Sequence, residues 1–208
     1  MADRLNFVAG LELLVFDEPS KSHLLERRQL HRILADHTWI FGEEFNLSVD
    51  DRSLTSVLNA HLKLLGREPE DKAAAVLRED GSVGIVNLML SRLIPQPRSE
   101  EREHLVIELK APTVDIDGAA MLQIQSYALA VADDERDTKT RWVFWAVSNN
   151  VRDSVRKSAR QRNRPEGVYY EDEEQRITIW VKTWGQVIQE CKGRLQFYRE
   201  QLGYAARF

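Results

Sequence analysis

Gly84-Ile-Val-Asn-Leu-Met-Leu-Ser-Arg92 and, after a polar connection, His104-Leu-Val-Ile-Glu-Leu-Lys-Ala-Pro112 decide the fold. Both runs are short, rich in β-branched and aliphatic residues, and bounded by Gly81, Pro95 and Pro112, which predicts two strands. Side chains alternate along a strand, so Glu108 and Lys110 share one face while Leu105, Ile107 and Leu109 point the other way, toward a core. A carboxylate beside an ammonium on an apolar strand costs desolvation energy that an ordinary core would not spend. That cost singles out Glu108 and Lys110 as candidate functional residues.

Upstream, Leu11 to Phe16 is an apolar run that reads equally as a strand or as the end of a helix. Ser20, after Pro19, is the expected N-cap of an amphipathic helix that carries Leu24, Leu30, Ile33 and Leu34 and runs to about Ala35. His37 to Phe45 interrupts it with an aromatic turn holding the acid pair Glu43 and Glu44. Ser53 is the expected cap of a further helix, with Leu54, Val57, Leu58, Leu62 and Leu65 at helical spacing and Gly66 closing it. Downstream, Asp117-Gly118 precedes a helix from Ala119 to Ala132, on which Gln123 and Tyr127 share a face. Arg141 to Val147 is apolar nearly throughout and is expected to be a central strand. Val168–Tyr170 and Ile177–Val181 are expected to pair as a hairpin across the acidic turn Glu171–Glu174. Thr183 is the expected cap of a closing helix, Trp184 to Leu202, with Val187, Ile188, Cys191, Leu195 and Tyr198 on one face. No repeat or linker divides the chain, so one α/β domain is expected.

The 208 residues suffice for one substantial core, and 43% hydrophobic with 30% charged residues is ordinary for a soluble globular protein. A net charge of −4 excludes a wholesale polycation but leaves room for a local basic patch. The single cysteine, Cys191, excludes an internal disulfide and any cysteine-rich zinc site, which suits a reducing cytoplasm. No apolar run approaches a membrane span, and the first residues lack a signal-peptide pattern. The apolar segment beginning at Phe7 reads as if cut from a longer chain. The histidines show no metal-binding spacing, and there is no Ser-His-Asp order, Walker A loop or dinucleotide fingerprint. Trp142, Trp145, Trp180 and Trp184 are expected to serve packing, and Cys191 to be buried.

The central stretch resembles the active-site hairpin of PD-(D/E)XK nucleases, where an Asp on one strand accompanies Glu-x-Lys on the next. Glu108-Leu109-Lys110 fits the second half. Glu-x-Lys alone is a common pattern whose plain alternative is a solvated strand face or a simple ion pair. Gln123-Ile-Gln-Ser-Tyr127 adds weight, because many members carry Gln-x-x-x-Tyr on the following helix. With Trp39 to Phe45, Val106 to Pro112 and Gly118 to Tyr127 taken together, residues 39–127 look like the nuclease domain of Shedu-type anti-phage defence proteins.

This resemblance implies a restriction-endonuclease-like mixed sheet flanked by helices that cleaves double-stranded DNA with Mg²⁺ or Mn²⁺. It also implies a homo-oligomer, with the nuclease domain behind an N-terminal sensor or ATPase part. It assigns metal ligation to Glu108, the Leu109 carbonyl, position 87 and either Glu43 or Glu44. Lys110 would position the water and neutralise developing charge. Gln123 would order the site, and Tyr127 would meet a backbone phosphate.

Asn87 departs from the pattern, because a neutral amide lacks the charge that makes a carboxylate bind Mg²⁺ well. Three readings stand: a carboxylate exchanged for an amide to abolish cleavage, a natural fold that only binds, or an enzyme that relies on Glu43 or Glu44. Arg152, Arg156, Lys157, Arg160, Arg162 and Arg164 surround the single acid Asp153 between Val151 and Pro165. Arg152, Arg156 and Arg160 make one stripe if the segment is helical. The run reads as a solvated loop or as a phosphate-binding surface, and a nuclease-like site beside it favours the second. Arg98 and Arg102, in the connection between the two central strands, would add to that surface.

Overall fold

The two quoted stretches form neighbouring antiparallel strands, β2 (Ile85–Leu93) and β3 (Arg102–Leu109), with Leu88 opposite Ile107 and Leu90 opposite Leu105. The computed structural model describes residues 2–23, 27–53, 85–93, 102–132 and 140–201. β1 (Asn46–Ser53) pairs antiparallel with the other side of β2. The chain then crosses through helix α4 (Gly118–Ala132) to β4 (Thr140–Ser148), which lies parallel to β3. The hairpin of β5 (Val168–Asp172) and β6 (Ile177–Thr183) places β6 parallel to β4 and β5 at the edge. The result is a six-stranded sheet in the order β1-β2-β3-β4-β6-β5.

Helices cover both faces. On one, Ile116 and α4 residues Met121, Ile124 and Tyr127 pack against Val106, Phe144 and Ile179. The other carries α1 (Ala2–Phe16), α3 (Arg27–Ala35) and α6 (Trp184–Gln201), whose Leu11, Leu34, Ile188 and Leu195 meet Leu105, Ile107 and Val147. A strand sandwiched in this way is covered on both sides, and residues 104–109 are all buried, His104 and Glu108 being the polar ones. The architecture is α/β, a restriction-endonuclease-like mixed sheet flanked by helices. Among the described residues no helix is long and apolar enough to cross a membrane.

Local chemistry explains several departures from the sequence reading. Leu11–Phe16 is the end of α1, not a strand. The next helical stretch is described as α2 (Glu18–His23) and α3, with Leu24 outside the described residues, and its cap is Asp17 rather than Ser20. The Asp17 carboxylate accepts from the Ser20 N–H at 3.2 Å and from its hydroxyl at 2.9 Å. Ser53 ends strand β1, and the expected helix from Leu54 to Gly66 lies outside the described residues, as does Arg98. Tyr198 is 37% exposed rather than inward-facing.

Candidate functional site

Glu108 is the penultimate residue of β3 and Lys110 the first beyond it. One register step past the Leu88–Ile107 pair, the two strands reach Asn87 and Glu108. The backbone of Asn87 belongs to β2, and its side chain lies outside the described residues. Glu108 is buried at 4% exposure, on the α4 side of β3 with Val106. Lys110 Nζ donates to Glu108 Oε1 at 3.3 Å, and the lysine side chain retains 17% exposure. The ion pair thus joins a buried carboxylate to an ammonium that reaches the rim. Leu109, between them, pairs with Val147 and buries its side chain in the opposite layer.

The connection after Lys110 is pinned by backbone and side-chain bonds. The Lys110 N–H donates to the Val147 carbonyl at 2.9 Å, extending the β3–β4 ladder by a residue. The Ser148 hydroxyl donates to the carbonyl of Val114, and Ile116 and Asn150 are joined by an N–H to carbonyl bond of 2.9 Å. Arg152 closes the arrangement twice: its N–H donates to the Ile116 carbonyl, and its Nε lies 2.9 Å from Asp115 Oδ2. The basic segment therefore starts beside the Lys110 connection. Asp115 and Ser148 were not singled out in the sequence; the visible signal for Ser148 was a polar residue closing an apolar strand.

On α4, Asp117 Oδ1 accepts from the Ala120 N–H at 2.8 Å and caps the helix. Gln123 Nε2 donates to the Tyr127 hydroxyl at 2.8 Å. Tyr127 is 2% exposed and packs with Ile124 and Ala128, which corrects the expectation that it meets nucleic acid. A buried tyrosine needs a partner for its polar tip, and Gln123 supplies one.

Glu43 and Glu44 are each engaged by an arginine. Glu43 takes both its oxygens to Arg4 Nη1 at 2.7 Å, and Arg4 lies over the Trp39 ring. Glu44 pairs with Arg92, which also holds Glu103 at 3.0 Å, across the far end of the β2–β3 ladder. Glu103 and Glu108 are about 17 Å apart at the usual rise of a strand, and their odd separation puts them on opposite faces. Among the described residues no group of three or more His, Cys, Asp or Glu could hold a metal. Mg²⁺ takes near-octahedral oxygen ligands with one or two carboxylates. Glu108 supplies one such carboxylate, and position 87 supplies an amide where a second would stand.

The arginine stripe is also corrected. Helix α5 (Asp153–Ser158) has only six residues, so Arg152 precedes it and Arg160 follows it. Arg156, Lys157 and Arg160 are exposed, and Arg160 Nε donates to Glu166 Oε1 at 2.8 Å. Next to them α6 opens with a reciprocal cap, in which the Gln186 N–H donates to Thr183 Oγ1 and the Thr183 N–H to Gln186 Oε1. Burial pushes the Cys191 thiol up from its ordinary value, and burial followed by Asp172 does the same to the Tyr170 hydroxyl.

Comparison with protein-family models, with curated proteins and with solved structures finds no match to this chain.

Proposed function

We propose that this chain is a nuclease-fold domain that engages double-stranded DNA and whose phosphodiester-cleaving centre is disabled at Asn87. The observation that carries the reading is Glu108 and Lys110 at the carboxyl end of β3, with Glu108 facing position 87 one register step past the Leu88–Ile107 pair. The basic segment that starts at Arg152 leads away from the same edge of the sheet. There Lys110 neutralises charge on a phosphate oxygen, while Arg156, Lys157 and Arg160 replace counterions along the backbone. Binding Mg²⁺ or Mn²⁺ calls for a second carboxylate next to Glu108, which Asn87→Asp supplies. A cytoplasmic role in anti-phage defence, assembly with further copies, and a preceding sensor or ATPase part belong to the same proposal through the Shedu resemblance.

The test is cleavage of plasmid and linear DNA in Mg²⁺ and in Mn²⁺ by this chain, by Asn87→Asp, and by Asn87→Asp with Lys110→Ala. The chain as it stands is expected to bind without cutting, Asn87→Asp to cut, and the double variant to lose that gain. If all three bind and none cuts, the domain is a non-catalytic binding module. If none binds, the nucleic-acid reading falls.

A further inference from the structure

At the carboxyl ends of β4 and β6, between α5, the 159–167 connection and the start of α6, lies a cavity of about 190 Å³. Val151, Ala159 and Val181 make its floor apolar, and Arg156, Arg160, Gln186 and the carboxylate of Glu166 stand around it. Its wall is held by backbone bonds: the Gly167 N–H donates to the Ala159 carbonyl, and the Gly167 carbonyl accepts from Val181, both at 2.9 Å.

The donors around the cavity are only partly used. Arg156 Nη2 rests 3.4 Å from the Val151 carbonyl and has no carboxylate partner among the described residues. Glu166 takes the Nε of Arg160, which leaves the two terminal guanidinium nitrogens for a ligand. Gln186 uses its oxygen on Thr183 and keeps its amide nitrogen as a donor. The eighteen-residue helix α6 begins here, and its partial positive charge adds to that of the arginines.

A bare anion would need no apolar floor, and an apolar ligand would need no guanidinium pair. We propose that the cavity is a nucleotide subsite. Arg156 and Arg160 grip the phosphate in their planar donor forks, and the floor of Val151, Ala159 and Val181 takes the sugar or the base. The inference builds on the nucleic-acid reading and places a contact about 10 Å, or two inter-strand spacings, from the end of β3. The same chemistry is presented by a free nucleoside monophosphate and by a nucleotide within a polynucleotide strand.

The experiment titrates the full chain with adenosine monophosphate, adenosine and supercoiled plasmid, alongside Arg156→Gln and Arg162→Gln. Arg162 is exposed, belongs to the same basic run and does not line the cavity, so its variant controls for net charge. The monophosphate is expected to bind more tightly than adenosine, and Arg156→Gln to weaken it about tenfold while Arg162→Gln leaves it unchanged. Plasmid that displaces the monophosphate identifies the strand as the source. A monophosphate that binds while plasmid does not bind identifies a free nucleotide, and then the DNA reading fails while the cavity assignment stands. No binding of the monophosphate at millimolar concentration, or equal binding by Arg156→Gln, overturns the cavity assignment. If plasmid is still held in that case, the DNA reading survives it.

Discussion

Cys191 is 1% exposed on the inward face of α6, and burial raises its pKa in the folded chain. The protonated thiol is therefore favoured by folding. Below the ordinary cysteine range both states are protonated, and this contribution to stability is fully present. As the pH rises past that range the unfolded chain ionises first, and the contribution is lost up to the folded pKa. Urea unfolding is expected to show stability falling above about pH 9, with a shallower decline for Cys191→Ala. Gly167 gives a second test at this scale, because its φ of +100° lies where side-chain-bearing residues are strained. An added Cβ would meet Trp180 and Val181 at an ordinary 3.4 Å, so the cost is conformational rather than steric. Gly167→Ala is expected to lower stability by about 1–2 kcal/mol, read as a lower urea midpoint at unchanged slope. Strand alternation alone was enough to find Glu108 and Lys110 in the sequence. It could not show that Glu43 and Glu44 are claimed by Arg4 and Arg92, because those pairs span 39 and 48 positions. Nor could helical spacing say whether Tyr127, on the flank of α4, faces solvent or the sheet.

Helix α6 is where local sequence and tertiary packing agree most closely. Thr183 and Gln186 cap it reciprocally, and Val187, Ile188, Cys191 and Leu195 bury one face. Thr183→Ala removes an acceptor from the first turn and is expected to cost about 1 kcal/mol in a chemical denaturation series. The same agreement made α4, β4 and the β5–β6 hairpin legible, since each has a long apolar pattern with clear punctuation. Strand β1 was missed because Leu47 and Val49 are its only apolar residues, and an edge strand hydrogen-bonded to β2 alone needs little more. Helix α5 escaped for another reason: six residues are too few to show a period, so the arginine spacing suggested a longer helix than forms.

Across the whole molecule, a net charge of −4 coexists with a cationic edge beside the carboxyl ends of β3, β4 and β6. Affinity for DNA is expected to fall steeply as salt rises, with a log–log slope of about −0.9 per phosphate contacted. Charge reversal at both Arg156 and Arg160 is expected to weaken retention by about tenfold or more at moderate salt and to flatten that slope, in a fluorescence anisotropy titration. Composition allowed for such a patch, but its position beside Lys110 follows from the pairing of β3 with β4 and from the Arg152–Asp115 contact.

The sheet joins two kinds of ladder, and that division bears on the order in which the chain acquires its shape. β2 and β3 are hairpin neighbours separated by a short connection, so their pairing closes a small loop. β4 can join β3 only after the intervening chain, α4 included, has been wound across the sheet face. Closing the longer loop costs more entropy before any contact repays it. The β2–β3 pair should therefore acquire amide protection first on refolding, and the pocket between β4, β6 and α6 last. The strand that carries Glu108 would then be the template on which the cationic edge is assembled.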